Sequence, residues 1–335
     1  MFLCLIIECY APQGEASYSM VMPAPASGIT PAFSIIIAVF NDWVPLRECL
    51  ESLGRQENAP SFEVIVVDDG SDEPAPQLIR QWAGRYPLAI VNQPHRGIPA
   101  ARNHGVRVSN GEVLLFVDAD CRLRTDCLAN LGATVFHPPE HNSFQLRLAG
   151  DLSNLVGKTE ELRFRTLQNQ LMQPNGCIRY LNTSAFAIRR ARLDPEKDLF
   201  DVSVPRGEDT LLLVHLIEHG ELPYFVANAT VEHVIPLSLG SCLLKDIRSA
   251  YRERKAYDII SSKGMRIRLR NRERLRMLSS MWKTSGQPHI GRLAWFVLVG
   301  RQIIQRIVSI ACRLLRRLRL LPAQPVAETA ESIYD

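Results

Sequence analysis

The segment from Val113 to Asp120 constrains the fold most, because a short apolar run leads directly into two acidic residues. The apolar residues Val113–Val117 are typical of a strand that is buried on both faces of a sheet. Asp118 and Asp120 follow at the carboxyl end, where open α/β sheets bind their ligands and where two neighbouring carboxylates need a compensating positive charge. The segment therefore predicts a site for Mg²⁺ or Mn²⁺ together with substrate phosphates. The alternative is that both aspartates are turn or N-cap residues before the next helix.

Three earlier apolar runs repeat this pattern at intervals of roughly 25–30 residues, which is typical of βαβ units. They cover Phe33–Val39, Phe62–Val67 and Leu88–Val91. Helical patterns separate them, the first with Leu46, Cys49, Leu50 and Leu53 on one face, the second with Leu78, Ile79 and Trp82. A third helix begins near Gly97, with Pro99 in its first turn. The chain is thus predicted to be an α/β protein with a mostly parallel central sheet flanked by helices.

The alternation of strands and helices is less regular after Asp120. We predict helices over residues 128–136 and 155–172 and strands over residues 144–148, 183–188 and 224–234. A strongly apolar helix follows Arg206-Gly207-Glu208-Asp209, and Gly220 is a suitable residue to end it.

The charge of the chain is unevenly distributed. The formal net charge is +4, yet residues 245–320 contain 20 Lys and Arg against 4 Asp and Glu. Such a basic segment indicates an anionic partner, which could be a membrane surface, nucleic acid or a polyanionic substrate. The eight cysteines are scattered and form no CxxC pair, which favours free thiols in a reducing, cytoplasmic compartment.

Five motifs, taken in order, resemble glycosyltransferase family 2. They are SIIIAVFN at 34–41, VIVVDDGS at 64–71, RGIPAARNHG at 96–105, LLFVDAD at 114–120 and RGEDTLL at 206–212. The resemblance implies a GT-A fold with a Rossmann-like nucleotide-binding half and an acceptor half. It also implies transfer of a sugar from a nucleotide-sugar to a hydroxyl acceptor with inversion, in the synthesis of a cell-surface glycan, glycolipid or polysaccharide.

The same resemblance implies that five residues bind the donor. Ala38 and Asn41 would lie along the nucleotide, Asp69 would accept a hydrogen bond from the base, and Arg102 would face the diphosphate or ribose. Asp118 would contact the ribose or the metal. Ala38 replaces the proline that is common in the family, and alanine should be tolerated there because proline only fixes φ.

On the acceptor side and at the metal, the resemblance implies roles for five residues. Asp120 would be the principal ligand of Mn²⁺ or Mg²⁺, with Asp118 beside it, and His233 would lie near the metal or the diphosphate. Asp209 would be the catalytic base, and Glu208 next to it would orient the acceptor or the helix terminus. Taken singly, Asp209 could instead be an acid favoured by the helix dipole, and His233 a structural histidine.

The resemblance and the charge distribution divide the chain into four parts. We expect a poorly ordered leader at 1–31, a GT-A domain at 32–240, a basic helical extension at 241–320 and a flexible tail at 321–335. Within the domain, residues 32–122 would form the nucleotide-sugar half and residues 123–240 the acceptor half.

From Arg292 to Leu320, apolar residues recur at helical spacing and arginines interrupt them. We favour a helix that lies in an anionic membrane interface, at the cytosolic face and near a glycan or lipid-linked acceptor. The alternative is that this helix packs on the catalytic body or on a second copy of the chain.

Two other functions are weighed against glycosyl transfer. A sugar-nucleotidyltransferase would need a glycine-rich basic loop after the first strand, where this chain has Phe40-Asn41-Asp42-Trp43. A nucleic-acid-binding protein would use the basic extension, but the apolar stripe and the lack of an aromatic-basic platform disfavour it.

Overall fold

The computed structural model describes residues 30–137, 141–204, 206–234, 238–252, 254–262 and 271–317. Most of the expected leader and the whole of the expected tail lie outside these ranges. The described residues contain eight strands in a single sheet, with helices on both of its faces.

The first half of the chain alternates strands and helices as predicted. Its elements are β1 (Phe33–Val39), α1 (Trp43–Gly54), β2 (Phe62–Asp68), α2 (Gln77–Arg80), β3 (Leu88–Asn92), α3 (Ile98–Val108) and β4 (Val113–Val117). The helix expected around Trp82 is only the short α2 followed by a 3₁₀ turn, Gln81–Gly84. Pro74 and Pro76 precede this segment, and Gly84 ends it, which leaves little room for a longer helix.

The second half completes the sheet and adds the C-terminal helices. Its elements are β5 (Cys121–Leu123), α4 (Cys127–Val135), β6 (Ser143–Gly150), α5 (Leu155–Leu171), β7 (Ala185–Arg189), α6 (Glu208–Glu218), β8 (Tyr224–His233), α7 (Leu239–Arg252), α8 (Arg254–Ser262), α9 (Asn271–Ser285) and α10 (Arg292–Arg317). The short strand β5 was not predicted from the sequence.

The strand order is β3-β2-β1-β4-β7-β6-β8-β5. Strand β1 pairs in parallel with both β2 and β4, so the sheet extends in opposite directions from β1. Ligands of open α/β sheets bind in the crevice at such a switch point, beyond the carboxyl ends of the strands. Strands β7 and β5 pair antiparallel with their neighbours, which makes the sheet mostly rather than wholly parallel.

The alternation of side chains along β1 divides the core between the two faces of the sheet. Ile35 and Ile37 pack with Leu46 and Leu50 of α1, whereas Ile36 packs with Ala101 of α3 on the other face. Burial on both faces explains why the early strands are continuous apolar runs, as expected for a parallel sheet.

The C-terminal helices are packed on the α/β body through a separate cluster. Leu162 of α5 contacts Met277 and Met281 of α9, and Ala294 and Leu298 of α10 belong to the same cluster. Another side of α10 remains exposed and apolar. Among the described residues, one helical stretch, Arg292–Ala311, is long and apolar enough to cross a membrane by length and composition alone.

Candidate functional site

The turn after β4 brings the acidic pair to the end of strand β8. The backbone N–H of Val234 donates to the carbonyl oxygen of Asp120 over 2.9 Å. Strand β5 then pairs antiparallel with β8, with Cys121 opposite His233. This register places His233 Nε2 3.4 Å from Asp120 Oδ1. Two residues that are far apart in the sequence therefore share one edge of the sheet.

Asp120 and His233 have a geometry that fits a divalent metal ion. Ligand atoms at right angles around Mg²⁺ or Mn²⁺, each about 2.1 Å from it, lie about 3.0 Å apart, close to the observed separation. The Nδ1 atom of His233 is buried and lacks a hydrogen-bond partner among the described residues. The edge-to-face ring of Phe164, with centroids 6.2 Å apart, helps to orient the imidazole.

The Cys121 thiol also lies beside this pair, with Sγ 3.9 Å from Asp120 Oδ1. Burial, reinforced by the negative charges of Asp120 and Asp118, raises the pKa of this thiol well above its usual value. Because Mn²⁺ and Mg²⁺ prefer hard ligands to sulfur, Cys121 is the least suitable ligand of these three residues. The donor set is therefore the carboxylate and the imidazole, which suits Mn²⁺ and Mg²⁺ better than a thiolate-binding metal.

Asp118 is held by hydrogen bonds to both of its carboxylate oxygens. Arg102 Nη2 donates to Oδ1 over 2.7 Å, and Ser184 Oγ donates to Oδ2 over 2.5 Å. Burial opposes ionisation, but Arg102, Ser184 and His233 together hold the pKa of Asp118 below its usual value. An ionised carboxylate offers about four acceptor positions, so Asp118 retains capacity for a ribose hydroxyl or a metal.

Arg102 has a structural role that the sequence did not reveal. It is only 3% exposed, and its Nη1 donates to Glu208 Oε1 over 2.6 Å while its Nη2 holds Asp118. The guanidinium thus compensates two carboxylates that come from opposite parts of the chain. Its predicted contact with the diphosphate or ribose stays a prediction.

The two acidic residues at the start of α6 have different surroundings. Gly207, with φ +92°, permits the left-handed turn that begins the helix. Glu208 is nearly buried and paired with Arg102, whereas Asp209 is partly exposed. Asp209 Oδ1 accepts a hydrogen bond from Thr210 Oγ1 over 3.2 Å. Of the two acids, Asp209 is therefore better placed to meet a substrate.

On the donor side, Asp69 organises the loop before α3. Its carboxylate accepts the backbone N–H groups of Arg96 and Gly97 over 2.9 and 2.8 Å and the side-chain amide of Gln93 over 2.7 Å. These bonds fix the loop beside Asp69, the residue that was predicted to accept a hydrogen bond from the base. A direct bond from Asp69 to a base stays a prediction.

Asn41 ties together the loops that follow β1 and β2. Its backbone N–H donates to Ser71 Oγ over 2.9 Å, and its side chain exchanges two hydrogen bonds with Asp72. Ala38 is half-buried at the end of β1, next to Val67 of β2. Both residues thus lie at the carboxyl end of the sheet, as expected for a nucleotide-binding edge.

Sequence reasoning missed two further features of this edge. Ser184 reaches Asp118 only because β7 pairs antiparallel with β4, which local pattern does not predict. The rings of Phe40 and His95 are in contact, with centroids 4.3 Å apart and planes tilted by 40°, and they offer an aromatic surface beside Asp69. The only signal for Phe40 and His95 in the sequence was that each lies next to a loop predicted to bind the nucleotide.

Comparison with known proteins gives a consistent result. Residues 34–193 match the family model for glycosyl transferase family 2. The glycosyltransferase AglE of Haloferax volcanii is 35% identical over 94 residues, which are 27% of this chain and 31% of that protein. An N-acetylglucosaminyltransferase of Bradyrhizobium diazoefficiens is 28% identical over 244 residues, 67% of this chain and 49% of that protein. The chain thus spans between about a third and a half of the length of these relatives.

A solved structure shows the same fold. The mannosyltransferase PcManGT of Pyrobaculum calidifontis, determined with GDP-Man and Mn²⁺, superposes with a TM-score of 0.54 at 17% identity, covering 88% of this chain and 82% of that protein. The GT-A fold expected from the motifs is therefore confirmed. Residues 34–193, slightly less than half of the chain, therefore match glycosyltransferase family 2 in sequence and lie within a GT-A fold.

Proposed function

We propose that the chain is an inverting glycosyltransferase that moves a sugar from a nucleoside-diphosphate sugar to a hydroxyl acceptor. The observation that carries this proposal is the pairing of β5 with β8, which sets His233 Nε2 3.4 Å from Asp120 Oδ1 at the carboxyl end of the sheet. The match of residues 34–193 to glycosyl transferase family 2 supports the reaction class.

Asp120 and His233 would hold Mn²⁺ or Mg²⁺, with Asp118 beside them. The ion, when bound, would stabilise the charge that develops on the departing diphosphate. Arg102 would act indirectly, through its ion pairs with two carboxylates. Its charge keeps Asp118 ionised and holds Glu208 at the start of α6. Ala38, Asn41 and Asp69 would shape the nucleotide site on the other side.

Asp209 would act as the general base. In a single displacement, the acceptor oxygen bonds to the anomeric carbon and gives its proton to Asp209, while the bond from that carbon to the diphosphate oxygen breaks. The transition state resembles an oxocarbenium ion. A positioned base of this kind typically contributes roughly 10²–10⁴-fold in rate.

The experiment that tests this proposal is a thermal-shift screen of nucleoside diphosphates with and without Mn²⁺. A ligand that binds the native state raises its apparent stability, so at least one diphosphate should raise Tm in the presence of Mn²⁺. Asp120→Asn should lose this shift. Asp209→Asn should keep it and lose sugar transfer or donor hydrolysis. A shift that is the same in Asp120→Asn as in the wild type would contradict the metal assignment.

We also propose that the enzyme works at the cytosolic face of an anionic membrane, on a glycan or lipid-linked acceptor. Among the described residues of the C-terminal helices, ten large apolar side chains are exposed: Leu239, Leu244, Leu275, Trp282, Leu293, Phe296, Ile303, Ile307, Ile310 and Leu314. Arg306 is exposed beside this surface. Apolar side chains flanked by Trp and Arg are typical of helices that lie in a membrane interface.

Vesicle flotation tests the membrane proposal. Ile307 is 60% exposed on α10, and Val44 on α1 is 73% exposed but lies outside the C-terminal helices. Ile307→Glu should weaken binding to vesicles that contain anionic lipid, whereas Val44→Glu should not. Self-association through α10 in the absence of vesicles, or salt-sensitive binding to duplex DNA but not to vesicles, would overturn the proposal.

A further inference from the structure

Helix α10 is connected through Arg301 to helix α5, which packs beside the candidate metal site. Arg301 Nη1 donates to Glu160 Oε1 over 2.9 Å and to Thr159 Oγ1 over 2.8 Å, both on α5. Its Nε and Nη2 form two bonds with Asp246 of α7, over 2.6 and 3.1 Å. Arg301 therefore joins three helices in a single charged network.

This network is largely shielded from solvent, so its geometry is demanding. The side chain of Arg301 is 12% exposed and that of Glu160 only 3%. Although burial opposes the ionisation of Glu160, Arg163 and Arg301 lower the pKa of its carboxyl to about 2. A buried charge of this kind needs its partner in place, because removing one member leaves the other uncompensated.

Helix α5 in turn sets the position of His233. The ring of Phe164 packs edge-to-face against the imidazole. Glu161 Oε2 accepts the backbone N–H of Gly150 over 3.0 Å, and Gly150 lies opposite His233 in the pairing of β6 with β8. The backbones approach so closely that a Cβ on Gly150 would lie 2.2 Å from the carbonyl oxygen of Gly157. A shift of α5 would therefore move the strand end that carries His233.

We infer that Arg301 is a positioning residue for the metal site, and that it acts on His233 through Glu160 and helix α5. This inference rests on the proposed function, since it requires that Asp120 and His233 bind a metal ion. It assigns the C-terminal helices a part in catalysis that is separate from their exposed apolar face.

The test is the affinity of the full-length protein for Mn²⁺ alone, measured from the electron paramagnetic resonance signal of the free ion. Substitutions around metal ligands typically weaken binding by 10–100-fold, so Arg301→Met should weaken Mn²⁺ binding by about tenfold. Arg306→Met is the matched control, because Arg306 lies on the exposed side of the same helix. It should change the affinity by less than about twofold.

A double-mutant cycle separates this role from general loss of structure. If Arg301 acts through His233, then Arg301→Met should have little further effect on Mn²⁺ binding once His233→Ala is present. Arg301→Lys keeps the charge but not the forked geometry, so it should give an intermediate loss. It also keeps the test available if Arg301→Met does not fold.

Four results would overturn the inference, and two of them would also overturn the proposed function. Wild-type affinity in both Arg301 variants, or equal effects of Arg301→Met with and without His233, would show that Arg301 does not act on the site. Absence of Mn²⁺ binding by the wild type, or binding that Asp120→Asn leaves unchanged, would instead remove the proposed metal site itself.

Discussion

Replacing Arg102 with methionine tests whether the acidic groups of the site depend on one buried cation. Arg102→Met keeps a side chain of similar length but leaves Asp118 and Glu208 without their shared guanidinium. Breaking a buried ion pair by removing one partner costs about 3–5 kcal/mol. We therefore expect the free energy of unfolding to fall by about that amount, which is a large part of the 5–15 kcal/mol of a typical domain.

Arg107→Met provides the control on the same helix. Arg107 pairs with Asp198 over 2.7 Å, but the two side chains are 58% and 48% exposed. Exposed pairs contribute about 0–1 kcal/mol, so this substitution should have little effect. Both variants are compared by urea denaturation at neutral pH. Equal losses in the two variants would refute the view that Arg102 compensates buried charge.

The pH dependence of the free energy of unfolding tests the same prediction in a second way. In the wild type, the lowered pKa of Asp118 adds stability above the pKa of the unfolded chain, about 3.9, and this stability is lost as the pH falls through the folded value. Arg102→Met removes that contribution. The difference in stability between the wild type and the variant should therefore narrow as the pH falls below about 4. A difference that is constant with pH would contradict the assignment.

Two further predictions concern α5. Gly150→Ala would place a Cβ 2.2 Å from the carbonyl oxygen of Gly157, so it should destabilise the protein by about 1–3 kcal/mol in urea denaturation. The control is Gly300→Ala on α10, which should be neutral or stabilising because the new Cβ meets nothing within 4 Å. Equal effects of the two substitutions would contradict this packing. The carboxyl of Glu160 has its pKa lowered from 4.5 to about 2, so it should contribute about 3 kcal/mol that is lost as the pH falls between these values. Unfolding measured against pH should show this loss in the wild type but not in Glu160→Gln, and parallel curves would contradict it.

The strands of the first half of the chain could be predicted because their signal is local. Each of β1 to β4 contains an apolar run of four or five residues, and each lies within a residue or so of its predicted bounds. Asp118 and Asp120 were identified for the same reason, since they directly follow such a run. The C-terminal helix α10 was also visible from its apolar periodicity.

The rest of the site depends on contacts between distant parts of the chain. Strand β5 has three residues, too few for a period to be detected, yet its pairing brings His233 to Asp120. The bond from Arg102 to Glu208 joins residues 106 positions apart. Without the resemblance to a known family, neither Asp209 nor His233 could have been distinguished from an ordinary helix-terminal acid or structural histidine.

Helix α10 shows a different limit of sequence reasoning. Its sequence pattern predicted one apolar side, and this side was expected to contact either a membrane or protein. The structure has two apolar sides, because Ala294 and Leu298 pack on the body while Phe296 and Ile307 are exposed. Arg301 was interpreted only as a charge interrupting the stripe, since its partners Glu160 and Asp246 lie on two other helices.

The central claim is that Asp120 and His233 together hold a metal ion at the carboxyl end of the sheet. It is tested most directly by the anomalous difference map of a crystal grown with Mn²⁺ and a nucleoside diphosphate. We expect one strong peak about 2.1 Å from both Asp120 Oδ1 and His233 Nε2, with the diphosphate beside it. A peak at other acidic groups, or a diphosphate bound away from this edge, would contradict it.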